Sequence, residues 1–581
     1  MQASPRLLMA ITAFCAVYGA IVYRLAEFAN IEPTQAVLAL SAPSAARPDI
    51  LDRNGTTMAT DLPASSIFAE PRRIVDVDEA VEKLTAALSD LDPVATHRLL
   101  SSDSGFAWIK RRVTPAERQA VFAQGIPGVG FRTETKRLYP NGPSGAHLLG
   151  TVDVDNRGTA GIERWIDREG HAGLREAGLD FTREDLEPVA LSIDNRVQHA
   201  VRDELVKAID TFDAVAGSGL VLDVKTGEVI ALVSLPDFDP NQPSDALKPD
   251  RINRMNVGTY EMGSTFKALN TAMALDSGRF SIRSVLDATK PLQFGRFRIN
   301  DYRGEKRPLS VPEAFIHSSN IAMAKMAMEI GVDGQRDFLK RFGLLDRLTT
   351  ELPESASPIL PSNWRMLNTA TISFGHGLAV TPLQASTAIA ALVNGGTLIR
   401  PTFIKDAPVE GRVLQTGLVS ERTGEALRYL MRLNAEVGSA KKANVDGFMI
   451  GGKTGTAEKV VNGRYAKDKV LTSFMGVVPA DEPRYLILVM LDEPKGLKET
   501  YGFRTSGWNA VPVAGKLIER IVPMLGISPD WERRGTFPQM IEAGAFGSER
   551  FRPGRQDLML PVVEASWSGP RMEVSTEENA R

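Results

Sequence analysis

Arg251 to Lys267 reads RINRMNVGTYEMGSTFK, and its last four residues decide how the rest of the chain is read. Ser264-Thr265-Phe266-Lys267 follows Gly263 and opens an apolar pattern of helical spacing through Phe266, Leu269 and Met273. Gly278 is placed to stop that helix. Ser264 then sits in the first helical turn, with Lys267 three residues on and on the same face. A serine hydroxyl is a poor nucleophile until a neighbour takes its proton. A lysine can take it only when neutral, and burial or a nearby positive charge pushes it that way. The helix N-terminus adds a positive field that favours developing negative charge. The competing reading is an exposed helix carrying a chance S-x-x-K, which arises about once or twice in a chain of this size.

Two further motifs follow in order. Ser318-Ser319-Asn320 lies between the helical patterns VPEAFIH and IAMAKMAMEI. A hydroxyl and an amide two residues apart can both face a cleft, Ser318 relaying a proton and Asn320 holding a carbonyl. Taken alone, a serine pair capping a helix is the simpler reading. Lys453-Thr454-Gly455-Thr456 lies on the predicted strand FMIGGKTGTA. Such a strand can offer its backbone to an extended peptide. Gly455 would let that peptide approach, and Lys453, Thr454 and Thr456 suit a carboxylate. A K-T-G-[ST] match is expected by chance about once in a hundred such chains. Lys225-Thr226-Gly227 also spells KTG, but it precedes the serine, lacks the trailing hydroxyl and joins two strands, so it reads as turn chemistry.

Around these motifs the sequence alternates between strand and helix patterns. GSGLVLDV and EVIALVSL, between Gly217 and Leu235, predict a hairpin of two apolar strands. A helix-rich stretch runs from Ser264 to about Leu433, and FMIGGKTGTA, LTSFMGVVPA and YLILVMLDE form a second strand set. A helix from about Val511 to Ile521 closes the unit. The first hairpin must join the later strands, which predicts a five-stranded, mainly antiparallel sheet flanked by helices, an α+β or mixed α/β fold. Upstream, RPDILDRNGTTMAT predicts a strand, an Asn54-Gly55 turn and a second strand, and Val77 to Ser101 has helical spacing.

The 581 residues exceed what one core organises. The expected division is a cytoplasmic segment 1–6, a transmembrane anchor 7–23, an elongated pedestal 24–188, a catalytic domain 189–525 and a disordered tail 526–581. Leu7 to Tyr23 reads LLMAITAFCAVYGAIVY, without a charge, between Arg6 and Arg24. As a helix it is about 25 Å long, close to the ~30 Å of a hydrocarbon core. A cleaved signal peptide competes, but the small-residue cluster SAPSAA (41–46) lies well beyond the apolar stretch. Arg6 and the amino terminus place that end in the cytoplasm and the remainder outside. Lys plus Arg is 68 and Asp plus Glu 71, so the net charge is −3 and no nucleic-acid surface is expected. The single cysteine, Cys15, excludes an internal disulfide. Six scattered histidines without ligand spacing point to no metal and no other cofactor.

The three motifs in this order resemble the signature of the penicillin-binding proteins and serine β-lactamases, S-x-x-K, S-x-N and K-T-G. RINRMNVGTYEMGSTFK, AFIHSSNIAMAK, SFGHGLAVTPLQ and GGKTGTA resemble the transpeptidase domain of class B penicillin-binding proteins, and DILDRNG and GTAGIERWID its pedestal. Phe374-Gly375-His376-Gly377 and Asn253-Arg254 lean toward the septal, cell-division branch. The resemblance implies a penicillin-sensitive peptidoglycan D,D-transpeptidase. Ser264 attacks the penultimate D-Ala carbonyl of a stem peptide, with Lys267 as base. Ser318 and Asn320 relay protons and orient the substrate, while Lys453, Thr454 and Thr456 hold the terminal carboxylate. The backbone N–H groups of Ser264 and Thr456 form the oxyanion hole, and a neighbouring stem's amine takes the acyl group. The implied partners are peptidoglycan stem peptides, β-lactams as inhibitors, a polytopic membrane glycosyltransferase and other division proteins. The implied location is the bacterial inner membrane at the division site, with the catalytic domain in the periplasm.

Met262 stands where that class usually has proline, Phe374 and His376 replace tyrosines, and GFRTSGWNA after Tyr501 lacks the usual paired glycines. His376 reads as a packing or hydrogen-bonding residue rather than a catalytic one. The rivals are an elongation-type transpeptidase, a β-lactamase and a membrane-anchored division scaffold without catalysis. The intact Ser, Lys, Asn and KTGT set argues against the scaffold.

Overall fold

The computed structural model describes residues 46–171, 186–461 and 463–531, together with Phe14, Tyr18, Gly19 and Val22. The expected anchor, apart from those four residues, and the tail beyond Trp531 lie outside the described residues. Among the described residues no helix is long and apolar enough to cross a membrane. The chain divides into two compact units.

One unit includes residues 62–136. The strand Thr57–Ala69 runs into it and pairs antiparallel with Ala107–Val113, while Val129–Leu138 pairs with the same strand. Two helices, Val77–Ala87 and Pro93–Leu100, replace the single helical stretch expected there. Pro93 forces the break: the residue before a proline avoids helical backbone, and Asp92 instead caps the second helix by accepting from Val94 and Ala95 N–H. Ile67, Leu84, Leu100, Val113 and Val121 form the core of this unit.

The other unit comprises residues 48–61, 137–171 and the chain from Leu186 onward. Its centre is a five-stranded sheet of β1 (Ala216–Asp223), β2 (Val229–Leu235), β3 (Gly451–Val461), β4 (Arg464–Val478) and β5 (Tyr485–Asp492). The strand order is β3-β4-β5-β1-β2 and every pairing is antiparallel. The expected union of the first hairpin with the later strands is thus made by β1 against β5. The strands read as continuous apolar runs because both faces are covered. In β5, Leu486, Leu488 and Met490 enter one core while Tyr485, Ile487, Val489 and Leu491 enter the other.

The second of these cores is closed by α1 (Asn195–Phe212) and α7 (Ala510–Ile521), which lie along the sheet. The first is filled by α2 (Lys267–Asp276), α3 (Val311–Ile316), α4 (Asn320–Arg341), α5 (Pro382–Val393) and α6 (Glu421–Val437). All twelve residues of α5 are buried, as expected of a helix that is apolar and small all round. The sequence DILDRNG earns its form here: Asp52 accepts N–H bonds from Asn54, Thr56 and Asn195 at 2.9, 2.8 and 3.1 Å. Glu163 of GIERW is fully buried against Arg137 Nε at 2.7 Å, and Arg137 also reaches Asp61 at 3.0 Å and the Pro48 carbonyl at 2.8 Å. A guanidinium with these three acceptors is what makes the burial of two carboxylates tolerable.

Candidate active site

Edge strand β3 and the turn leading into α2 form the two walls that matter. Gly263–Phe266 is a tight 3-10 turn continuous with α2. It is pressed against β3: a Cβ on Gly455 would lie 2.8 Å from the Met262 carbonyl and 3.0 Å from the Thr265 methyl. The missing side chain of Gly455 thus makes room for the nucleophile's own turn and for the Ser473 hydroxyl of β4. A Cβ on Gly263, whose φ is +55°, would likewise lie 3.1 Å from the Thr456 carbonyl oxygen. Ser264 is therefore held beside Thr456 by backbone packing. Ser264 is half-buried, and its hydroxyl has no hydrogen-bond partner among the described residues.

The first eight residues of α2 are buried, Lys267 among them at 0% exposure. Its Nζ lies 2.5 Å from the Ser318 carbonyl, 2.9 Å from Ser318 Oγ and 2.8 Å from Asn320 Oδ1. Burial pushes the Lys267 amine well below its usual range, and the charge of Lys453 pushes the same way, against Asp301. The Ser318-Ser319-Asn320 motif divides: Ser319 caps a helix, while Ser318 and Asn320 face Lys267. Ser319 Oγ caps α4, accepting from Ala322 N–H at 3.1 Å and donating to Asp301 at 2.8 Å. Ser318 is held at φ +56°, a left-handed backbone costing on the order of 1–3 kcal/mol for a residue with a side chain. That conformation turns its hydroxyl toward both lysines. Asn320 is steadied from behind, donating to the Asn300 carbonyl at 3.0 Å.

Lys453 departs from its expected place. It is 1% exposed, and its Nζ donates to Ser318 Oγ at 3.1 Å, behind the strand's open edge. Burial lowers its pKa to about 7. Thr454 is also buried, its hydroxyl 2.8 Å from Ser439 Oγ. Thr456 is half-buried and accepts from Ser506 N–H at 3.1 Å, which leaves its own proton free to donate. Sequence reasoning missed Ser439, in the turn after α6, and Ser506, at the start of the short 3-10 helix Ser506–Trp508, neither of which carries a motif. The loop after Tyr501 is tied down by Ser506, whose hydroxyl donates to the Ser473 carbonyl at 2.6 Å. Lys225 and Thr226 form a turn on Asp223, which accepts both backbone N–H groups at 2.9 and 3.0 Å. Among the described residues no cluster of His, Cys, Asp or Glu could hold a metal.

The constellation supports one proton path. With Lys267 neutral, its two protons satisfy the Ser318 carbonyl and Asn320 Oδ1 and its lone pair is left to accept a proton, while Ser318 Oγ, 2.9 Å away, accepts from Lys453 and can receive the third proton once Lys267 is charged. A base one helical turn from Ser264 is thereby joined to a hydroxyl that can pass the proton on.

Residues 217–518 match the penicillin binding protein transpeptidase domain, and residues 42–175 match the penicillin-binding protein dimerisation domain. This chain belongs to the penicillin-binding proteins. A probable peptidoglycan D,D-transpeptidase FtsI of Caulobacter vibrioides is 40% identical to this penicillin-binding protein over 494 residues, covering 83% of the chain and 82% of that relative. The peptidoglycan D,D-transpeptidase FtsI of Escherichia coli is 32% identical over 512 residues, covering 84% and 85%. Penicillin binding protein 3 of Mycobacterium tuberculosis, solved in complex with aztreonam, shares the fold at a TM-score of 0.64 and 24% identity, covering 84% of this chain and 97% of that one.

The depressed pKa of Lys453 carries a stability cost with a definite pH window. Unfolded, the lysine keeps its proton to about 10.4; folded, it releases it near 7. Between those values the unfolded penicillin-binding protein holds the extra proton, so stability rises with pH there and the full penalty stands below 7. Lys453→Met is expected to stabilise by on the order of 2–4 kcal/mol near pH 6 while impairing acylation. The gain should fade toward pH 10. Thermal melts of both proteins across that range check it, and an equal or lower midpoint for the variant throughout would refute it.

Proposed function

We propose that this chain is a septal class B peptidoglycan D,D-transpeptidase that works through an acyl-enzyme on Ser264. Lys267, neutral in its buried position, takes the Ser264 proton as the hydroxyl oxygen attacks the penultimate D-Ala carbonyl of a stem peptide. The oxyanion that forms is held by the backbone N–H groups of Ser264 and Thr456. The proton passes from Lys267 through Ser318 to the leaving D-Ala amine. Asn320 orients the peptide, and the Thr456 hydroxyl donates to the terminal carboxylate. Lys453 supplies positive field from behind and supports that carboxylate through Ser318. The acyl-enzyme is then opened by the amine of a neighbouring stem, which makes the crosslink. A β-lactam acylates Ser264 by the same path.

The observation that carries this reading is the convergence of Lys267, Ser318, Asn320 and Lys453 behind Ser264 at the free edge of β3. The domain reading accompanies it: residues 1–6 cytoplasmic, an anchor at 7–23, a pedestal at 24–188, the catalytic domain at 189–525 and a tail from 526. The charge-free run from Leu7 to Tyr23 supports a single-pass inner-membrane protein with its catalytic domain in the periplasm, beside a polytopic glycosyltransferase.

The test is to incubate the protein with a fluorescent penicillin and map the adduct by mass spectrometry. A long-lived adduct on the peptide containing Ser264 is expected. Rapid turnover of the drug would convert the reading to a β-lactamase, and no adduct on folded protein would overturn it. Midcell accumulation of a fluorescent fusion separates the septal role from elongation.

A further inference from the structure

Acylation leaves one pair of groups near Ser264 unused. Glu261 lies three residues before the nucleophile and is half-buried. Its Oε1 accepts from the Gly377 N–H at 2.8 Å and from the Tyr465 hydroxyl at 3.1 Å. Its Oε2 is buried without a partner among the described residues. Burial raises the Glu261 carboxyl, against the two hydrogen bonds. Tyr465 stands opposite Val460 at the outer end of β4 and is 46% exposed. Its ring stacks on His376 at 5.4 Å, and His376 meets Phe374 edge-on at the same distance. His376 in turn feels the charge of Lys267. Gly375 packs directly on the backbone of Gly263. The phenol of Tyr465 is thus the open end of a short hydrogen-bonded pair, anchored to the turn that carries Ser264.

The second half-reaction needs a proton acceptor of its own. The acceptor amine, with an ordinary pKa of about 10.4, arrives at neutral pH as an ammonium without a lone pair to attack with. Lys267 returns one amine proton to Ser264, and the ammonium has a second proton to lose before its nitrogen can attack. We propose that Tyr465 and Glu261 form the proton relay that deprotonates the acceptor amine. This rests on the transpeptidase reading above. The ammonium gives a proton to the phenol oxygen as the phenol gives its own to Glu261 Oε1. The freed lone pair bonds to the acyl carbon, the bond from that carbon to Ser264 Oγ breaks, and the second amine proton returns to Ser264 through Lys267. Glu261 then releases its proton to water. A carboxyl raised by burial suits an intermediate proton acceptor. Tyr465 touches the substrate, and Glu261 is its positioning partner.

The test compares the full chain with Tyr465→Phe, which keeps the stacking ring, and Glu261→Gln, which keeps an acceptor for both N–H and O–H. The first readout is the acylation rate with fluorescent penicillin. The second is the partition of an acyl-enzyme, made from an acyl-D-alanyl-D-lactate ester, between D-alanine as acceptor amine and water. Acylation should stay within about twofold, while the transfer-to-hydrolysis ratio should fall about tenfold or more at neutral pH. The deficit should shrink as pH approaches the amine's own pKa. Glu458 is the other charged group acting on Tyr465, and His376, stacked on its ring and lowered to about 4 by burial first and Lys267 second, stays neutral throughout. An unchanged ratio overturns the relay, and so does a parallel fall in acylation and transfer, which marks a structural latch. A wild-type chain that forms no acyl-enzyme overturns the transpeptidase reading beneath it.

Discussion

Replacing Ser264 with alanine is expected to abolish stable penicillin labelling and to reduce acyl transfer on the order of 10⁴-fold or more, about 5 kcal/mol of transition-state stabilisation. On the proposed mechanism the substitution removes the atom that carries the acyl group, while the backbone oxyanion donors remain. Residual turnover would come from that hole and from binding alone. The fold should be indifferent, because the Ser264 hydroxyl is half-buried and unpartnered among the described residues. An unchanged melting temperature with no adduct is the expected pair of results. An adduct that survives the substitution would place the nucleophile elsewhere.

Lys267→Ala should lower the acylation rate about 10³-fold, within the range that a positioned proton acceptor supplies. Its effect on stability is the sum of opposed terms. Loss of a fully buried amine removes a desolvation cost, but the Ser318 carbonyl and Asn320 Oδ1 lose their donor. A change in melting temperature much smaller than the loss of rate is therefore expected. In the parent protein, acylation should fall as pH drops through the depressed pKa of Lys267, because the base is then protonated. Stopped-flow acylation across pH, with the variant alongside, checks both statements. A variant that acylates at parental rate would transfer the proton-accepting role to Ser318 or to solvent.

The chemistry of the site was legible in the sequence to the extent that it is local. Ser264 and Lys267 share one helical turn, and Ser318 and Asn320 flank one helix start, so spacing alone puts each pair together. Contacts across the chain left no such trace. Glu261, Tyr465 and His376 come from three separate segments, brought together where Gly375 packs on Gly263 and where β4 pairs with β3. The helical pattern from Val77 to Ser101 hid a break between Ala87 and Pro93, since periodicity outweighed a single proline. The small-residue helix Pro382–Val393 carried no motif, yet it fills the core behind the cleft.

The sequence by itself determined the fold class, the order of the strands' hydrophobic runs and which residues gather at the candidate site, because these follow from periodicity and from short motifs with a chemical reason. The tertiary structure alone decided what each residue does. It turned Lys453 away from the open edge into a buried neighbour of Ser318, gave Gly455 to the nucleophile's own turn and divided the Ser318-Ser319 pair between contacts to the two buried lysines and helix capping. The physical reason is burial. Whether a lysine is a carboxylate ligand or a depressed base, and whether a glycine admits substrate or backbone, depends on which distant segments exclude water from it, and spacing along the chain carries no record of that.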